Sequence, residues 1–146
     1  MSLSNAAETE LLDLIFANSD YANIGDATGL RGSTTAGSLW VGLHTSDPGE
    51  TGTQATNEAA YTNYARVGVV RSASGWTMSG SSATNAATIA FPACGATSAA
   101  VTHFSIGGSS AGAGVLLASG SLSATLNVTN GVTPQFAAGA LVFTLD

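Results

Sequence analysis

Hydrophobic positions in this chain recur mostly at a spacing of two. Leu39, Val41 and Leu43 alternate with Trp40, Gly42 and His44, and Ala65, Val67 and Val69 alternate with Tyr64, Arg66, Gly68 and Val70. Successive side chains of a strand point to opposite faces, so this period marks half-buried strands over 39–45 and 64–71. The same rule predicts strands at 76–78, 87–91, 101–106, 115–119, 122–128 and 141–145. Pro92 stops one of them and Gly120 bounds another, while Asn130-Gly131 is a strong local hairpin signal. Short strands parted by turn signals argue for a sandwich or barrel. The expected fold is mainly β, a jelly-roll-like antiparallel β-sandwich with one N-terminal α-helix, built as a single domain over 1–146.

The helix is the one departure from that period. Ala7, Leu11, Leu14 and Ile15 follow helical spacing, which predicts a helix over about 5–18. Asn5 is placed to cap it, with Glu8 completing a capping box and Glu10 also near the positive end of the helix dipole. Leu12 and Phe16 widen the apolar face beyond what one partner surface usually needs.

Between the elements, 18–38 is rich in Gly, Asn, Asp, Ser and Thr and reads as a long loop. Asp47-Pro48-Gly49 predicts a hard turn, because Pro presets φ and Gly accepts a positive φ at the next position. The interval 50–63 reads as an exposed loop free to reach a neighbour, and 107–114 as a flexible glycine-serine connection. The strand pair 39–45 and 64–71 is the frame around which the other elements are expected to pack.

Composition changes this picture in one respect. Charged residues make up only 8% of the 146, lysine is absent, and the net charge is -6, so the surface is polar without being charged. Three arginines, Arg31, Arg66 and Arg71, cannot neutralise a row of phosphates, which argues against nucleic acid as a partner. The sequence contains no apolar run of membrane-spanning length and no Lys/Arg-led signal pattern at its start, so synthesis in the cytoplasm and no membrane insertion are expected. Cys94 is the only cysteine, so an intrachain disulfide is excluded.

Candidate chemistry is sparse. His44, His103 and Asp47 lack the spacing of a compact metal ligand set, and Asp47 with Glu50 does not form a calcium-loop array. The Gly-x-Ser-x-Gly elbow of a serine hydrolase is absent, and 107–114 lacks the Lys-Ser/Thr ending of a phosphate loop. These residues predict no catalytic group, no metal and no cofactor. Trp40, Tyr61, Tyr64 and Trp76 flank the loops and are candidate sugar-stacking surfaces, with placement in the core as the plainer expectation. Leu12, Phe16, Glu50 and Tyr61 are the candidate subunit contacts.

Several segments together resemble a family of small bacteriophage virion structural proteins, of tail-fibre-like or capsid-decoration type. They are Leu3-Ser4-Asn5 with the helix from Glu8 to Phe16, the stretch Leu39 to Pro48, Tyr64-Ala65-Arg66-Val67, Ile89-Ala90-Phe91-Pro92, Val101 to Ile106, and Thr133 to Leu141. The resemblance spans nearly the full chain. It implies a virion component, made in the host cytoplasm and without catalytic activity. Two roles compete within it. A capsid decoration or cement protein would bind the outer capsid surface as a dimer or trimer, with the major capsid protein and copies of itself as partners. A tail-associated fibre or receptor-binding module would instead contact the host surface.

Overall fold

Alternation along the chain is realised as strands wherever a neighbouring segment supplies backbone partners. The computed structural model describes residues 3–22, 24–25, 29 and 32–145. They form mainly antiparallel β-sheet with one N-terminal helix, in sheets of four, three and two strands. The length suggests one domain over 1–146; the packing of the chain divides into two compact units, each assembled from separated segments. One comprises Met1–Ser38, Val69–Thr88 and Phe136–Asp146, the other Leu39–Gly68 and Ile89–Gln135.

The first unit holds the helix. α1 runs over Asn5–Leu12 and continues as a π-helical turn over Asp13–Ala17, so the helical reach is close to the predicted one while its second half is wider than an α-helix. Ser4, not Asn5, is the cap: its backbone is extended and its hydroxyl accepts the Ala7 N–H at 3.3 Å. Asn18 closes the helix in the left-handed conformation (φ 58°). Freed carbonyls in the wide turn find a partner in Arg71, whose Nε and Nη2 donate to Ile15 and Leu14 O, both at 2.6 Å. Burial and the nearby Glu10 carboxylate hold the Asp13 carboxyl above its usual range.

Beneath the helix lies the three-stranded sheet, ordered β3 (Trp76–Ser79), β4 (Ser82–Asn85) and β9 (Val142–Thr144). Strand β4 was not predicted, because Ser-Ala-Thr-Asn has little hydrophobic patterning. It forms because Gly80, at φ 57°, opens a two-residue hairpin that sets Ser79 opposite Ser82. Asn85 then ties β4 to the chain before β9: its amide donates to Ala87 O (2.8 Å) and Ala137 O (2.7 Å), and its carbonyl accepts Leu141 N–H at 2.9 Å. The core of this unit is Leu12, Phe16, Trp76, Ala83 and Leu141. Phe16 stands edge-on to Trp76 at 4.8 Å and lies 5.1 Å from Phe143.

A four-stranded sheet in the order β2-β1-β6-β7 belongs mostly to the second unit, with Ser38, Val69 and Val70 at its margin assigned to the first. Its strands are β1 (Ser38–His44), β2 (Val67–Val70), β6 (Ala99–Gly107) and β7 (Leu116–Val128). β1 and β6 pair antiparallel, with Trp40 opposite Gly107 and His44 opposite His103. The predicted break at Gly120 does not occur, and β7 runs through it. A Cβ at that position would lie 2.8 Å from the Phe104 ring directly across the pair, so glycine is what lets the strand continue. The short strands β5 (Ile89–Ala90) and β8 (Gln135–Phe136) pair with each other.

Asn130-Gly131 does turn, with φ 84° at Gly131, but it does not make a hairpin. β7 before it pairs with β6, and β8 after it with β5. The turn is held by Cys94, whose carbonyl accepts Gly131 N–H at 2.8 Å and whose N–H donates to Val132 O at 2.9 Å.

Removing the Phe16 ring should open a cavity against Trp76. Phe16→Ala is expected to lower unfolding free energy by about 3–5 kcal/mol in urea titration, while Leu3→Ala, at an exposed position, should change it by less than about 0.5 kcal/mol.

Candidate functional site

The two long loops of the second unit leave its sheet at opposite ends, 45–63 after His44 and 107–114 from Gly107 beside Trp40, and their geometry is fixed from within. The interval 50–63, expected to be a free excursion, is stitched down. Gln54, Ala59 and Tyr61 in it are buried. The left-handed residues Asn57 and Asn63 fold the chain back on itself, and Thr45 N–H and Ala59 N–H pair with Asn57 O and Leu43 O. At the start of this segment the Asp47 carboxylate accepts Gly49 N–H at 2.9 Å, and Gly49 adopts φ 71°, so the predicted turn is present.

Arg66 is the principal clasp. Its Nε and Nη2 donate to the two carboxylate oxygens of Glu58 at 2.6 and 2.7 Å, a bidentate pair. Its remaining donors reach Ser109 O (2.9 Å) and Gly112 O (2.8 Å), drawing in the glycine-serine connection. Tyr64 joins the same group, donating its hydroxyl to Glu58 at 2.9 Å while accepting Leu43 N–H at 3.0 Å. Burial, chiefly, drives the Tyr64 phenol far above its usual range, so it stays protonated as a donor.

Gln54 is the second clasp. Its amide donates to Trp40 O at 3.2 Å and its carbonyl accepts Ser109 N–H at 2.9 Å, with the side chain fully buried. Cβ atoms at Gly107 and Gly114 would fall 2.1 and 2.4 Å from the Gln54 side chain. Gly107 and Gly114 therefore make room for Gln54, while Gly108 and Gly112 face open space.

His44 completes the group from the strand end. Nδ1 faces Thr56 O at 2.9 Å and Nε2 faces the Ser105 hydroxyl at 2.8 Å, so a neutral ring donates from Nδ1 and accepts the serine proton at Nε2. Desolvation holds its pKa below the usual histidine value. The Ser105–His44 contact has the atoms of a hydrolytic dyad, but both residues are fully buried and Nδ1 meets a carbonyl in place of a carboxylate. Its role is to hold the turn at 56 against the sheet. His103 sits opposite His44 and contacts Thr102. Among the described residues no group of three His, Cys, Asp or Glu is placed to hold a metal ion.

Of the candidate subunit contacts, Leu12, Phe16 and Tyr61 are each at most 2% exposed, covered by their own chain, whereas Glu50 is exposed. Tyr61 donates to Pro92 O at 3.0 Å, and burial pushes its phenol up to about 12. Trp76 is likewise buried, while Trp40 and Tyr64 are half-buried, so these aromatics are packing residues and not an open stacking platform. Two shallow clefts lie beside these loops. One, of about 460 Å³, is lined by Asp47, Gly49, Glu50 and residues Leu116 to Ser119. The other, of about 230 Å³, lies over Glu58, Tyr64, Arg66 and the 110–112 backbone. Sequence reasoning missed Gln54, Glu58 and Ser105, since no local spacing links them to their partners.

Over residues 2–144 the chain matches the family model described as podophage GP4 fiber I protein gp80, and it belongs to that family of phage virion structural proteins with a fibre-like role. No curated protein matches it.

Two outcomes test this construction. Arg66→Met strands the Glu58 carboxylate and two carbonyls, and should cost about 3 kcal/mol in urea titration, with Arg66→Lys recovering only part because an ammonium cannot make the bidentate pair and reach both loops. The lowered pKa of His44 means that the unfolded chain takes up its proton first. The contribution of His44 to stability should therefore be constant above about pH 6.5 and fall below it, by up to about 1.4 kcal/mol per pH unit until the folded pKa is reached, and His44→Gln should remove that slope.

Proposed function

We propose, from membership of this phage fibre family, that the chain is a non-enzymatic structural component of the virion fibre, and that the clasped loops of its second unit carry the contact with a neighbouring virion protein. The observation behind the second clause is the double clasp of Arg66 on Glu58 and Gln54 on Ser109, which holds 45–63 and 107–114 in one geometry before any partner arrives. Preorganised loops lose little conformational freedom on docking, as a permanent structural contact requires. Glu50, Thr51 and residues 110–112 remain exposed there, and Glu50 is the subunit-contact residue that this reading keeps.

Capsid decoration, with the major capsid protein and further copies of this chain as partners, is the competing reading; the fibre description of the family favours the tail-associated one. Purified virions separate them. Quantitative mass spectrometry should find the protein in the same copy number as the fibre proteins, and gold-labelled antibody should mark fibres. Lattice-like copy number with label spread over the head would move the protein to the capsid surface.

A further inference from the structure

Asn130-Gly131 turns without making a hairpin, and the pair carries chemistry of its own. An asparagine followed by glycine is especially prone to deamidation, because glycine has no side chain to shield the backbone nitrogen that must attack. No other asparagine in the chain precedes glycine, and both residues of the pair are exposed. In the reaction the Gly131 nitrogen bonds to Asn130 Cγ, the Cγ–Nδ2 bond breaks, and ammonia leaves with the Gly131 amide proton. Water then opens the resulting ring at either carbonyl, giving aspartate or isoaspartate.

The fold withholds the nucleophile. Gly131 N–H donates to Cys94 O at 2.8 Å, and Val132 N–H donates to Thr129 O at 2.9 Å, closing a turn in which Gly131 takes φ 84°. A hydrogen bond of that length holds the very proton the reaction must remove. The acceptor is itself fixed in place. Cys94 N–H donates to Val132 O at 2.9 Å, its buried thiol donates to Thr97 O at 3.0 Å, and the Tyr61 hydroxyl donates to Pro92 O at 3.0 Å. Gly95 N–H reaches Thr62 O at 3.0 Å as well. Freeing Gly131 N–H therefore means parting 92–95 from 130–132, which is a local opening of the structure and not a side-chain rotation.

We infer that Asn130 is this chain's site of spontaneous deamidation, held latent while Gly131 N–H stays on Cys94 O, and that its isoaspartate form cannot restore that contact. The second clause follows from connectivity. Isoaspartate runs the main chain through Cβ and Cγ, which inserts an extra backbone atom before Gly131 and displaces its N–H from Cys94 O. Aspartate leaves the backbone path unchanged and only adds a negative charge to the net -6. Opening of this turn is thus written irreversibly into the chain, where β7 leaves its pairing with β6 and the chain goes on to pair β8 with β5.

The test ages the full chain at mildly alkaline pH, native and in urea. Peptide mass spectrometry with isoaspartyl methyltransferase labelling follows Asn130, and NMR follows hydrogen exchange of the Gly131 amide. Asn130 should convert first among the asparagines in urea, and at least tenfold more slowly in the native chain. Across sub-denaturing urea concentrations, conversion and Gly131 exchange should rise in proportion. The isoaspartate chain, separated by ion exchange, should show fast Gly131 exchange, whereas Asn130→Asp should keep it slow. The proposal is overturned if native and unfolded chains convert at the same rate, if another asparagine converts first in urea, if conversion does not follow Gly131 exchange, or if the isoaspartate chain exchanges as slowly as Asn130→Asp.

Discussion

The second unit depends on a single guanidinium. Arg66 meets a carboxylate from one loop and two backbone carbonyls from another, so one buried cation satisfies acceptors that hydrophobic contact could not. Without the guanidinium a half-buried carboxylate and two carbonyls would lose their donors at once, which is costly. Each member of the group is tolerable only while the others are present. That mutual requirement gives two polar, glycine-containing segments one conformation.

The first unit solves a related problem with the same residue type. Its helix ends in a wide π-turn whose carbonyls would otherwise lack partners, and Arg71 supplies the donors from a distant part of the chain. With so few cations, both described arginines are committed to backbone carbonyls inside their units. The outward surface that remains is hydroxyl-, amide- and carboxylate-bearing.

Glycine has a parallel role. Gly120 passes beneath the Phe104 ring, and Gly107 and Gly114 flank Gln54. In each case the missing side chain admits another residue's, and the segment is more closely packed for it. At these three positions glycine marks close approach.

Local periodicity and turn chemistry were enough to determine the β class, the N-terminal helix, most strand positions and the turn at Asp47-Pro48-Gly49, because each depends on residues within a few positions of one another. The chain's own order also carried the family resemblance, through segments spread from Leu3 to Leu141. What only the tertiary structure decided are the relations between distant positions. They include the run of β7 through Gly120, the strand β4, the redirection at Gly131, and the joining of Gln54, Glu58, Arg66 and His44 to residues up to 61 positions away. A polar side chain in a loop reads as exposed until its partner is known. Hydrogen bonding in the interior, which depends on register and not on composition, is what turned a predicted free excursion into a segment stitched to its sheet.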